Sequence, residues 1–122
     1  MTQVFVSGSR SVRALPQVAK TSLDKTIELG FTVCVGDCYG VDTLVQDYLA
    51  AKNYQQVVVF HIGEEPRNNR GFRTQRVLGS RQTDKDAAMA AAADYGLAVW
   101  DGRSPGTAAN ISRVAKTKVV MA

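Results

Sequence analysis

Apolar residues in this chain come in short blocks separated by turn-forming residues, and the blocks alternate between two periods. Gln3–Ser7 (QVFVS) is β-branched and apolar, and predicts a strand that GSR ends. From about Ala14 to Leu29 the residues Leu15, Val18, Ala19, Leu23 and Ile27 recur at helical spacing, and Gly30 is a natural helix stop. FTVCV (Phe31–Val35) predicts a second strand, GDCYG a loop, and Val41 to Lys52 a helix. QVVVFHI (Gln56–Ile62) is a continuous apolar run, the pattern of a strand covered on both faces. From Gly63 to Gln82 no period emerges, and arginine and glycine dominate. Asp84 reads as the N-cap of a helix through KDAAMAAAAD. YGLAVW (Tyr95–Trp100) is a fourth strand, a helix follows from about Thr107 to Ala115, and KVVMA closes the chain as a short fifth strand.

Strands alternating with helices imply right-handed crossovers and a parallel sheet covered on both sides. The irregular stretch between the third and fourth strands marks the reversal of strand order. The expected fold is therefore α/β: a Rossmann-like, doubly wound parallel sheet of about five strands in the order 3-2-1-4-5. That order opens a crevice at the C-terminal ends of strands one and four. With 122 residues, the chain reads as one domain, 1–122. Apolar residues at 45% and charged residues at 21% are ordinary for a globular protein, so a real core is expected.

Charge narrows the partners only slightly. A net charge of +4 favours anionic ligands without requiring nucleic acid. No stretch has the length and apolarity of a membrane span, and none resembles a signal peptide, which points to a cytoplasmic protein. Cys34 and Cys38 are too few for a disulfide framework, and no metal site or cofactor is expected.

The predicted order brings three loops to one edge of the sheet: GSR, GDCYGVD and DGRSPGT. In DGRSPGT, Gly102 and Gly106 let backbone approach a ligand, and Ser104 and Thr107 offer hydroxyls. A helix opening at Thr107 aims unpaired N–H groups and a positive dipole end at the loop, which suits an anion. Thr107 acting only as a helix cap accounts for the same residue. The loop is not a Walker motif, and GSRSVR is not a GxGxxG fingerprint. Gly8 supplies a tight turn, Ser9 a donor and Arg10 a guanidinium suited to a phosphate or to solvent. Gly36 and Gly40 bracket the second loop, where Asp42 fits either a ribose hydroxyl or the start of its own helix. Arg67, Arg70, Arg73, Arg76 and Arg81 fit a phosphate-closing lid, a nucleic-acid contact or a solvated basic loop. His61, the only histidine, has no second histidine to work with. Trp100 and Tyr95 fit packing at the sheet edge, and an aromatic beside the loop also suits base stacking.

The GSR after strand one, GDCYGVDTLVQDYL and above all KDAAMAAAADYGLAVWDGRSPGTAANI resemble the Rossmann-like superfamily abbreviated SLOG. That superfamily unites DNA-processing protein A (Smf) with Lonely-Guy-type proteins, and the resemblance covers nearly the whole chain. It implies a nucleotide or nucleotide-derived ligand at the crevice, and a homodimer or higher homo-oligomer. Lonely-Guy enzymes release a base from a nucleoside monophosphate, other members are thought to sense nucleotides, and the DNA-processing branch binds single-stranded DNA. The Lonely-Guy loop reads PGGxGTxxE. Gly106 and Thr107 match its GT, but the glutamate position falls on Asn110, which cannot ionise. The partner arginine of those enzymes has no match in DKDAAM, where Lys85 and Asp86 stand instead.

The expectation is thus a nucleotide-binding or sensing domain. The phosphate is placed against Gly8–Arg10 and Gly102–Thr107, and the base and ribose toward Asp42, Trp100 and Asn110. The alternative is an N-glycoside hydrolase using Asp86 or Asp101, since a carboxylate and an activated water suffice at a ribose. Asp86 as a charge complementing its helix dipole is the plain reading of that residue. Single-stranded DNA binding is a weaker alternative, because Phe72 is the only aromatic in the arginine loop.

Overall fold

The computed structural model describes residues 1–122. The elements are β1 (Gln3–Gly8), α1 (Gln17–Glu28), β2 (Thr32–Gly36), α2 (Val41–Ala51), β3 (Val57–His61), β4 (Arg73–Arg76), α3 (Gln82–Ala92), β5 (Tyr95–Trp100), α4 (Pro105–Arg113) and β6 (Thr117–Met121). All strand pairs are parallel, in the order β4-β3-β2-β1-β5-β6. The order expected from sequence is present, with the reversal between β1 and β5. The sheet has six strands rather than five, because β4 adds itself outside β3.

Residue alternation on β1 shows how the sheet is covered. Val4 and Val6 join a core with Leu23 of α1 and Val41, Val45 and Leu49 of α2. Phe5 points the other way, into a core with Met89 of α3 and Val114 just past α4. Burial on both faces explains the unbroken apolar runs of β2 and β3, every residue of which is buried. No helix is long and apolar enough to cross a membrane.

Several element ends differ from the sequence expectation for local reasons. Helix α1 starts at Gln17, not Ala14, because Pro16 holds the N-cap in extended geometry and restricts the residue before it. Its end agrees with the glycine stop, with Gly30 at φ +70°. Helix α4 starts two residues early: Pro105 takes the first helical position, where its missing N–H costs nothing. Asp84 lies inside the first turn of α3, not at its cap. Its Oδ2 reaches back to accept from the Arg81 and Ser80 backbone N–H groups at 3.1 and 3.2 Å.

Strand β4 carries RTQR, exposed along its whole length. The buried Phe72 beside it and Asn69, which bonds both the N–H and the carbonyl of Phe72, hold it in place. Gln46, fully buried on α2, fixes the preceding loop by donating to the Gly36 and Asn68 carbonyls and accepting from the Arg70 N–H.

Candidate functional site

The loops after β1, β2 and β5 meet at the C-terminal edge of the sheet around a cleft of about 410 Å³. Its lining includes Gly8, Arg10 and Ser11 after β1, and Ser104, Gly106 and Thr107 at the start of α4, with Asn110 further along that helix. Cys38 and Asp42 from the loop after β2 and the start of α2, and Gln82 and Asp86 from α3, supply its thiol and acidic part. Ser7, Phe5 and Met89 also border the cavity, the last two from the core beneath it. A volume of this size suits a small-molecule ligand.

The glycines serve different ends. Gly8 has no left-handed backbone. A side chain there would lie 2.4 Å from Val41 Cβ, so glycine lets the start of α2 close onto the end of β1. Gly40 does need glycine conformation, at φ +78°, and also lies against the backbone of Arg10. Gly102 turns the loop after β5 at φ +78°. Gly106 meets nothing within 4 Å, so open space lies in front of the first turn of α4.

Asp101 organises its own loop. It accepts from the Arg103 and Ser104 backbone N–H groups at 2.8 Å each, from Ser104 Oγ at 2.9 Å and from Ser11 Oγ at 2.7 Å. These bonds, the Ser104 N–H first, hold its carboxyl well below the usual range. It does not line the cleft, and neither do Ser9, Gly36, Gly102, His61 or Trp100. Ser9 is buried and its Oγ accepts from the Asp101 N–H at 3.1 Å, tying the β1 and β5 loops together. Gly36 leaves room for Asp42 Oδ2 and Lys85 Nζ. The Trp100 indole donates to the Ser104 carbonyl at 3.1 Å. His61 is buried, with Nδ1 2.7 Å from the Gly63 carbonyl.

Asp86 and Asn110 do meet in the cleft. Burial raises the Asp86 pKa, opposed by the Lys85 charge and by a hydrogen bond from Asn110. Arg113 donates to Asn110 Oδ1 at 2.7 Å, which turns the Asn110 NH₂ toward Asp86. Arg113 went unrecognised in the sequence, and only its spacing of three from Asn110 on α4 signals the pairing.

A second unrecognised group underlies the acidic part of the lining. Lys85 is 1% exposed, and its Nζ lies 3.0 Å from Asp37 Oδ1 and 3.4 Å from Cys38 Sγ. Arg67 also grips Asp37, through its backbone N–H at 2.9 Å and its guanidinium at 3.0 Å. Burial alone would raise the Asp37 carboxyl, but these bonds and the Lys85 charge hold it far below the usual range. Asp42 has no such partner. Burial pushes it up to about 7, against the pull of Lys85 and the Cys38 N–H.

Two hydroxyls in the cleft are free. Ser7 and Thr107 are 7% and 4% exposed, no protein group bonds their side chains, and both border the cavity. Since no fully enclosed polar side-chain atom lacks a partner, both oxygens are reached from the cleft. The arginine-rich segment is divided: Arg67 pairs with Asp37, Arg70 with Asp47 at 2.7 Å and Arg81 with Asp84 at 3.9 Å, while Arg73 and Arg76 stand exposed on β4. No group of three or more His, Cys, Asp or Glu side chains converges as a metal site. No family model matches the chain, and neither does any curated protein.

Proposed function

We propose that this domain binds a nucleotide or nucleotide-derived ligand in the cleft, as a cytoplasmic sensing module of the SLOG type. The single observation that carries this reading is Thr107: a hydroxyl in the first turn of α4, on a residue 4% exposed, left without a protein partner and reached from the cleft. It stands beside the unpaired N–H groups of a helix start, and Gly106 keeps the approach open. Arg10, which also lines the cleft, adds a guanidinium suited to a phosphate. The phosphate lies there, and the ribose and base extend toward Asp42 and Asn110. As in the SLOG resemblance, the domain works as a homodimer or higher homo-oligomer.

A second reading, N-glycoside hydrolysis, is favoured by Asp86. It is a carboxyl in the cleft whose pKa burial raises and whose amide neighbour Arg113 fixes, a setting suited to proton transfer at a glycosidic bond. Asp101 suits that role less, because three of its four hydrogen bonds go to its own loop and the fourth to Ser11 after β1. The arginine segment gives little support to single-stranded DNA binding, since Arg67 and Arg70 are held in ion pairs.

Ultrafiltration of the protein with a mixed nucleotide panel, both fractions read by mass spectrometry, separates these readings. A nucleotide retained intact supports the sensor, and free base in the filtrate supports the hydrolase. Passage of every compound unchanged contradicts both.

A further inference from the structure

The acidic part of the lining holds a carboxyl that its surroundings keep from ionising cheaply. Asp42 is 8% exposed, and its one hydrogen bond comes from the Cys38 N–H to Oδ2 at 3.1 Å. No protein donor reaches Oδ1, and Asp42 borders the cleft, so Oδ1 opens toward it. The charged groups around it are committed elsewhere or carry the same sign. From α3, Lys85 draws Asp42 toward ionisation but bonds Asp37 and Cys38 rather than Asp42, and Asp86 repels a second negative charge. From the loop after β2, Asp37 repels it too and is itself held by Arg67. From the loop after β1, Arg10 has Cys38 Sγ as its bonding partner, at 3.8 Å.

We propose that Asp42 reads its ligand as a carboxylic acid, with Oδ1 donating a hydrogen bond to an acceptor atom of an anionic ligand, so that binding carries a proton with it. The inference rests on the nucleotide-site reading above and adds the chemistry of one contact. An ionised aspartate would select ligand donors such as ribose hydroxyls; the acid form selects an acceptor, such as a ring nitrogen or carbonyl. The proton has one free position, because Oδ2 already accepts from Cys38. An anion arriving in the cleft adds negative charge to a space that Asp86 already borders, which strengthens the hold on the proton.

The test is calorimetric titration with AMP from about pH 7 to about pH 9, where the AMP phosphate stays dianionic, in two buffers of different ionisation enthalpy. The expected result for the wild type is affinity falling about tenfold per pH unit at the alkaline end, with uptake approaching one proton. Asp42→Asn keeps a donor and an acceptor but has no titrating proton, so AMP binding to it loses the slope. Asp86→Asn retains the slope. A flat wild-type profile without proton uptake, or an unchanged slope in a folded Asp42→Asn protein, overturns the proposal while leaving the nucleotide site standing. AMP that fails to bind the wild type at every pH overturns the proposal together with the site reading beneath it.

Discussion

Lys85 Nζ lies 3.0 Å from Asp37 Oδ1, and the two side chains are 1% and 3% exposed. This buried pair joins the start of α3 to the loop after β2, and so sets the spacing of the acidic part of the cleft. The partners are not equivalent, because Asp37 has Arg67 as a second cation, while Asp37 is the one carboxylate within ion-pair distance of Lys85, whose Nζ otherwise meets Cys38 Sγ at 3.4 Å. Asp37→Ala strands a buried ammonium and is expected to cost roughly 3–5 kcal/mol. Lys85→Met leaves Asp37 with Arg67 and replaces the stem with a similar apolar one, so its cost is expected to be much smaller. Urea unfolding of both variants checks the asymmetry, and equal losses would contradict it.

Asp42 imposes a pH dependence on stability. Its folded pKa of about 7 lies above the ordinary aspartate value, so the folded state favours the protonated form. The stability this confers is complete below about pH 4 and is lost progressively as pH rises through about 7. Asp37 works in the opposite sense: its depressed pKa gives stability that is present above about pH 4 and lost as pH falls further. Asp42→Asn is therefore expected to raise the melting temperature at pH 8 relative to wild type, with the gain shrinking toward pH 5. A gain independent of pH would contradict this assignment.

Two glycines that line the cleft, Gly8 and Gly106, predict opposite behaviour. At Gly8 a methyl group would fall 2.4 Å from Val41, which is fully buried and cannot retreat, so Gly8→Ala is expected to cost about 1–3 kcal/mol. At Gly106 a methyl group meets nothing, and alanine restricts the unfolded chain, so Gly106→Ala is expected to gain about 0.4–1 kcal/mol. With a ligand at the start of α4 as proposed, the same methyl, which faces open space beside the cleft, is expected to weaken its binding. Thermal melts paired with AMP titration test this, and a Gly106→Ala protein of unchanged affinity would place the ligand elsewhere.

Asp101 predicts a local effect. Removing its four hydrogen bonds in Asp101→Ala frees the turn from Gly102 to Ser104 and unties Ser11. Amide exchange at Arg103 and Ser104 is expected to accelerate while the β1 and β5 amides stay protected.

Much of this architecture is legible in the order of apolar blocks. Strands β1, β2, β3 and β5 announce themselves because burial on two faces demands largely apolar runs, and loops of glycine and hydroxyl residues follow β1, β2 and β5. Strand β6, an edge strand with one buried residue, was legible from Val119, Val120 and Met121. Strand β4 was illegible because it lies at a sheet edge with all four residues exposed, so RTQR carries no apolar signal. Its anchor, Phe72, stood out only as a lone aromatic among arginines. The buried ion pair was equally hidden. A lysine between two aspartates in DKDAAM reads as a solvated helix start, and nothing in the residue types tells that Asp37 will stand 3.0 Å away across 48 positions. Asp101 was legible as a residue of the loop edge but not as the hub of its turn, since that role depends on Ser11 of another loop.

We propose a nucleotide in the cleft lined by Arg10, the start of α4, Asp42 and Asp86. Amide chemical-shift mapping of isotope-labelled protein titrated with AMP tests it most directly. Saturable shifts are expected, concentrated at Gly8–Ser11 and Ser104–Asn110, with smaller ones at Cys38, Asp42 and Asp86. Shifts confined to the exposed arginines of β4, or no shifts at all, would contradict it.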